Sequence, residues 1–428
     1  MGRERIFIKN VTLYNGEQTN VVIEHGLISA IDQKIEISDA KIIDGTDMHL
    51  LPGLVDLHTH LREPGKEDAE TVESGSRAAL RGGFTAISAM PNTNPVADTA
   101  GVVEQVFRLG KSAGLCDVFP IGAVTLGQRG EQLAEILAMA NSEASVRVFS
   151  DDGHCVADSL VMRRALEYVK MFGGVIAQHA QDPKLTIDSQ MNEGYISAKL
   201  GLKGWPAVAE EAIIARDVLL ADHVQSRLHI CHVTTAGGVE IIRWAKARGI
   251  DVTAEVTPHH LLLTDDAALS YDPVFKVNPP LRTERDVMAL REGLAEGIID
   301  IVATDHAPHS SENKECEWQA AAFGMLGLET AFSIVYSTMV ASGLMSLPDL
   351  VDRMSKTPAR IGGYVAHGGE ISIGAPANLT LVNLKKSWRV NKNNVASRSF
   401  NTPYHGMEFP GVVSGVIFEG RWMGESPL

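Results

Sequence analysis

Two histidines flank a single threonine at His58-Thr59-His60, directly after the apolar run Leu54 to Leu57. In an extended strand the side chains alternate across the sheet, so both imidazoles point to one side and Thr59 to the other. One strand can therefore offer two ligands to one cation. Apolar runs also end in His179 (after VIAQ), in His232 (after LHIC) and in Asp305 (after IVAT), and the carboxylate pair Asp151-Asp152 follows VRVFS. Each of these has an ordinary explanation by itself: a satisfied core histidine, or an aspartate that caps a helix. Together, neutral imidazoles and carboxylates are the ligand mix that suits zinc. Asp305 could bind the metal and also carry a proton, as metal-activated hydrolysis requires. One of Asp151 and Asp152 could bridge two cations about 3.5–4 Å apart, the other capping the next helix, and the spacing leaves open which does which. Gly153 permits a sharp turn there.

Four further polar residues accompany this set. Arg62, just past the first histidine pair, is a planar cation suited to a bidentate grip on a carboxylate. Asn92 in PNTNP, Asn278 in NPPLR and His309 in ATDHAPH fall on loops after other runs. For the asparagines, turn chemistry beside proline weighs evenly against ligand binding.

The segments that must position these groups alternate in type. Eight short apolar stretches, LVDLHTHL, FTAISAMPN, DVFPIGAVT, VRVFSDD, GVIAQHAQD, RLHICHVTT, DVTAEVTPHH and IIDIVATDHAPH, are separated by helical patterns such as residues 70–81, 157–172, 207–222 and 285–296. That rhythm predicts an α/β fold of the (β/α)8 TIM-barrel type, which takes roughly 250 residues and carries its chemistry at the carboxyl ends of its strands. Residues 320–345 read as one of its helices, interrupted by Glu329 and several small residues. Alternating apolar and polar positions near both ends of the 428-residue chain predict a small composite β domain. The expected boundaries are 1–52 and 365–428 for that domain and 53–364 for the barrel.

A formal charge of −15 leaves no basic face for phosphates, so nucleic acid is not an expected partner. Four widely spaced cysteines suggest neither a disulfide framework nor a thiolate zinc site. The charged start, MGRERIFIKN, has no apolar leader and no membrane span is expected, so a cytoplasmic location is. The polar segment 310–317 (SSENKECE) is expected to form a mobile flap over the site.

The motifs HTHLREPG (58–65), PNTNP (91–95), DDG (151–153), NPPLR (278–282), ATDHAPH (303–309) and NTP (401–403) together resemble the class I bacterial dihydroorotases of the amidohydrolase superfamily. The resemblance covers nearly the whole chain. It implies two zinc ions per subunit, one held by His58, His60 and Asp305, the other by His179 and His232, with Asp152 bridging both. It further implies that Arg62, Asn92 and His309 bind the substrate carboxylate, that His60, Asn278 and the backbone at Phe323 and Gly324 complete the pocket, and that Asp305 is the catalytic acid/base. Related hydantoinases, dihydropyrimidinases and allantoinases bridge their metals with a carboxylated lysine from the fourth strand; no lysine occurs here between Lys111 and Lys170. Gln181 stands where the family usually has Glu, which bears on the support of His179 and not on the ligands themselves.

The implied reaction is the reversible, zinc-dependent closure of N-carbamoyl-L-aspartate to L-dihydroorotate, the third step of pyrimidine synthesis. A homodimer, with association to aspartate transcarbamoylase, is the implied assembly. Two alternatives are a hydrolase of another cyclic ureide, such as hydantoin or allantoin, and an inactive homologue serving as a structural subunit.

Overall fold

The computed structural model describes residues 5–425. Residues 1–4 and 426–428, which the sequence reading placed at the extremes of the β-rich ends and which include the start of MGRERIFIKN, lie outside the described residues.

Eight short strands share one direction: β1 (Leu54–Thr59), β2 (Phe84–Ala89), β3 (Asp117–Pro120), β4 (Val148–Phe149), β5 (Val175–Gln178), β6 (Leu228–Ile230), β7 (Val252–Val256) and β8 (Ile301–Val302). β1 to β3 pair in parallel, as do β4 to β8 in the order of the chain. Parallel bridges between Gly122 and Phe149, and between Thr59 and His306, join the two groups at both seams. Parallel pairing thus runs from β1 through β8 and back to the segment beside β1. Such strands are covered on both faces, which is why they read as continuous apolar runs: β1, β2 and β5 are buried at every position.

Helices connect successive strands, and local sequence sets their ends. α1 (Val72–Arg81) starts at a capping box in which the Thr71 side chain accepts from Ser74 N–H and Ser74 answers toward Thr71. Asp158 caps the helix Ser159–Lys170 by accepting from Leu160 and Val161 N–H, leaving Asp151 and Asp152 without that task. The segment 320–345 departs from the helical expectation. Around Gly324, which sits at φ +136° with its N–H committed to the Lys276 carbonyl at 2.9 Å, the backbone is not helical; helix runs Ala331–Val335 and widens over Tyr336–Val340.

The two ends of the chain meet in one sheet. Its strands run Arg421–Glu425, Glu408–Phe418, Leu379–Arg389, His49–Pro52, Ile6–Leu13, Gln18–Glu24 and Leu27–Ile31, with Lys41–Asp44 also paired to Ile6–Leu13. The join is antiparallel, Leu379 opposite Pro52 and Leu381 opposite Leu50. Ile6, Ile8, Val21, Ile23, Leu50, Leu379, Leu381 and Ile417 bury a core of their own there. No described helix is long and apolar enough to cross a membrane.

Candidate active site

Beyond the carboxyl ends of the parallel strands, six side chains converge. His58 is the penultimate residue of β1 and His60 the first past it, so both imidazoles project the same way. Asp152 follows β4, His179 follows β5, His232 lies two residues past β6, and Asp305 three past β8. All six are at most 5% exposed. Arg62, His232 and Asp305 hold positive φ angles of 64°, 30° and 47°, rare for residues with a side chain and costing roughly 1–3 kcal/mol each. Strain of that kind persists only where the surroundings dictate the conformation.

Asp152 divides the cluster. Its Oδ2 lies 3.4 Å from both His58 Nε2 and His60 Nε2, whereas its Oδ1 lies 3.2 Å from His179 Nδ1 and 3.1 Å from His232 Nε2. Asp305 Oδ1 stands 3.0 Å from His60 Nε2 and 3.5 Å from His58 Nε2, and His179 Nδ1 is 2.9 Å from His232 Nε2. Ligands about 2.0–2.1 Å from a tetrahedral ion are separated by roughly 3.3 Å, so these spacings are those of ligand atoms around a common centre. His58 Nε2 is buried with no hydrogen-bond partner, the state of a donor atom kept for something other than a protein group. The donor set fits one cation on each side of Asp152.

The electrostatics agree. Burial alone would raise Asp152, yet His58, His179 and His232 hold it well below the usual carboxylate range. Burial likewise works against Asp305, but its hydrogen bond to His60 and the nearby His58 keep it low. His58 is pushed well above the ordinary imidazole value in spite of burial, because Asp152 and Glu255 both face it. The field at the centre of the cluster favours positive charge.

Neighbouring groups fix the ligand rings. Glu255 of β7 accepts from His58 Nδ1 at 2.6 Å, from His229 Nε2 at 3.0 Å and from the His232 N–H at 3.2 Å. Gln181 Oε1 lies 2.7 Å from His179 Nε2, so an amide oxygen orients that ring where the motif leads one to expect a carboxylate. Asn92 Oδ1 lies 2.9 Å from His60 Nδ1. Glu255 was missed in the sequence, where it reads only as a polar position within DVTAEV. Asp151 turns away: it accepts from the N–H groups of Val124 and Thr125 at 2.8 and 3.0 Å. It ties down the loop after β3 instead of capping the next helix, as the residue pair had suggested one of its members would.

The remaining residues form one wall beside the cluster. Arg62, 7% exposed, donates from Nε to the Pro308 carbonyl at 3.0 Å and sets Nη2 3.4 Å from His309 Nε2. His309 Nε2 donates to the Phe323 carbonyl at 2.7 Å; burial, then Arg62 and Lys314, keep the ring neutral, down to about 2. Asn401 of the NTP motif accepts from His309 N–H at 3.2 Å and donates to the carbonyls of Ala307 and Gly324 at 3.0 and 3.3 Å. Asn278 reaches from across the cluster, donating to Gln181 Oε1 at 3.2 Å while its own Oδ1 is buried without a partner. The segment 310–317 contains a turn of helix, Ser311–Lys314, whose Lys314 is 2% exposed while most of its neighbours are exposed. His259, just past β7, is fully buried with neither ring nitrogen bonded, and neither its type nor its spacing had marked it.

A family model described as "Dihydro-orotase-like" matches residues 48–237. Proteins named dihydroorotase from Streptomyces coelicolor, Leifsonia xyli and Mycobacterium tuberculosis are 61%, 58% and 52% identical. The matches cover 97%, 98% and 97% of this chain and 97%, 96% and 97% of theirs. Among solved structures, an L-hydantoinase (dihydropyrimidinase) from Arthrobacter aurescens superimposes with a TM-score of 0.87 at 25% identity, covering 99% of this chain and 96% of its own. A dihydropyrimidinase from Brevibacillus agri gives 0.83 at 22%, covering 99% and 95%, a likeness of fold.

Proposed function

The chain belongs to the dihydroorotase family of cyclic amidohydrolases, and from that premise we propose that it interconverts N-carbamoyl-L-aspartate and L-dihydroorotate with two zinc ions. The fold that goes with this reading is a (β/α)8 barrel over residues 53–364 with a small β domain from 1–52 and 365–428. The observation that carries the site is Asp152, whose two carboxylate oxygens each face a different pair of histidines. His58, His60 and Asp305 would hold one ion, His179 and His232 the other, and Asp152 both. Bound zinc supplies Lewis acidity, polarising a carbonyl and making water acidic enough to act as a nucleophile near neutral pH.

The protein's own groups do the rest. Asp305, held ionised by His60 and His58, accepts a proton from water as the new C–O bond forms, then delivers it to the ring nitrogen as the C–N bond breaks. Ring closure runs the same proton path backward. Arg62 binds the substrate carboxylate, with Asn92 and His309 beside it, and so aligns the amide with the attacking water. The Asn278 carboxamide oxygen, buried and unpaired, is free to accept a ring N–H. Asp152 replaces the carboxylated lysine that the sequence denies to β4. This favours dihydroorotate over the hydantoin-type rings, which in addition offer Arg62 no carboxylate.

Purified protein assayed with L-dihydroorotate and with N-carbamoyl-L-aspartate, before and after chelation, tests this. Turnover in both directions is expected, lost on chelation and restored by zinc. Undiminished activity in the stripped protein, or equal turnover of uncharged hydantoins, would sink it.

A further inference from the structure

Behind the wall that carries Phe323 and Gly324 lie two buried lysines. Lys276 and Lys314 are each 2% exposed, and among the described residues neither pairs with a carboxylate. Lys314 Nζ donates to the carbonyls of Lys276 and Ala322, both at 2.8 Å. Lys276 Nζ donates to Trp318 and Gln319 at 2.7 and 3.1 Å and sits 4.4 Å from the centre of the Phe323 ring. The Lys276 carbonyl also accepts the Gly324 N–H at 2.9 Å, and the Ala322 N–H returns to Asn313 at 2.8 Å. The loop 318–324 is therefore laced on both sides by ammonium groups, and its Phe323 carbonyl in turn holds His309, beside Arg62.

Burying an ammonium group is expensive unless it is compensated. Carbonyl dipoles meet these two groups directly, and when protonated their positive potential extends to the adjoining wall. Arg62 stands in that wall, also buried and also without a carboxylate partner among the described residues. Three cations are thus gathered at one side of a cluster whose own carboxylates face the histidines.

We propose that Lys276 and Lys314 are positioning residues for the substrate carboxylate: they hold the 318–324 loop against His309, and the charge they carry when protonated favours anionic over uncharged rings. This rests on the dihydroorotate reading of the site. The two lysines touch neither the ligand set nor the reacting bond, so their influence falls on binding.

The test compares Lys314→Met, which keeps the length and removes the donors and the charge, with Lys314→Arg, which keeps the charge. For Lys314→Met, KM for both substrates should rise roughly tenfold or more, the scale of a lost charge-assisted hydrogen bond. At the same time kcat should stay within about threefold and zinc content should match the parent protein. Lys314→Arg should recover part of the KM. An unchanged KM in a folded, metal-loaded Lys314→Met protein overturns the proposal. So does a parallel fall of kcat and zinc content, or an arginine variant no better than methionine. Should Lys314→Met not fold, Lys314→Gln decides on the same two criteria, since it keeps donors and drops the charge. Activity of the parent protein toward dihydroorotate is read separately, so failure of the substrate reading and failure of the lysine role are distinguishable.

Discussion

Replacing Arg62 with methionine separates substrate binding from metal binding. The guanidinium is buried, donates to the Pro308 carbonyl, and is pushed down to about 10 by burial against the pull of Asp305 and Asp152. A carboxylate gripped by its fork gains two charge-assisted hydrogen bonds at about 1.5–3 kcal/mol each, so losing both raises KM by roughly 10²–10⁴. Stability moves little, because two effects oppose each other. The Pro308 carbonyl loses its Nε donor, while a buried cation without a carboxylate partner is removed. Arg62 bonds to none of the six candidate ligands, so zinc content should stay at the parent value. Steady-state kinetics in both directions, elemental analysis and a thermal melt on the same preparation give all three readings. Zinc lost in proportion to activity, or a KM within about fivefold of the parent, would refute the reasoning.

Three other outcomes follow from the geometry. Asp152→Asn removes the carboxylate shared by both halves of the cluster, so zinc per chain should fall below one while the circular dichroism spectrum is retained. Glu255→Gln weakens the acceptor on His58 Nδ1 and should lower zinc affinity roughly 10–100-fold, measured by competition with a chelator. Burial, followed by the neighbouring charge of Lys276, pushes Lys314 down to about 7. The unfolded chain holds that proton up to about 10.4, so between those values it binds more protons than the folded protein. Burying this ammonium therefore costs stability in full below about 7, and that cost is relieved as pH rises through the window. The melting temperature of the parent protein relative to Lys314→Met should climb from pH 7 to pH 9, and a flat difference would contradict the assignment.

Much of the site is legible in the chain because strands obey a period of two and carry their last polar residue at an end. His58 and His60 share a side for that reason, and His179, His232 and Asp305 stand out because apolar runs stop at them. Caps also act locally: Asp158 and Thr71 accept from first-turn amides and begin their helices one or two residues inside the patterns 157–172 and 70–81. Reading 320–345 as helix held for 331–340 and failed around Gly324, because composition says nothing of where the Gly324 N–H must go. It goes to a carbonyl 48 positions earlier in the chain, at a positive φ that a helix does not contain.

By itself, then, the sequence determined which residue types are available, their spacing along each strand and the order of strands and helices, since these depend on neighbours within a few positions. Residue spacing left Asp151 and Asp152 open and only the motif resemblance pointed to the second; the tertiary structure adds the physical reason, the amides of Val124 and Thr125 that claim the first and the four imidazoles that surround the second. It alone brought Glu255 to His58 across 197 positions and laid two lysines behind Phe323. Such choices depend on which distant groups share a buried volume, where every polar atom must find a partner, and no local period encodes that.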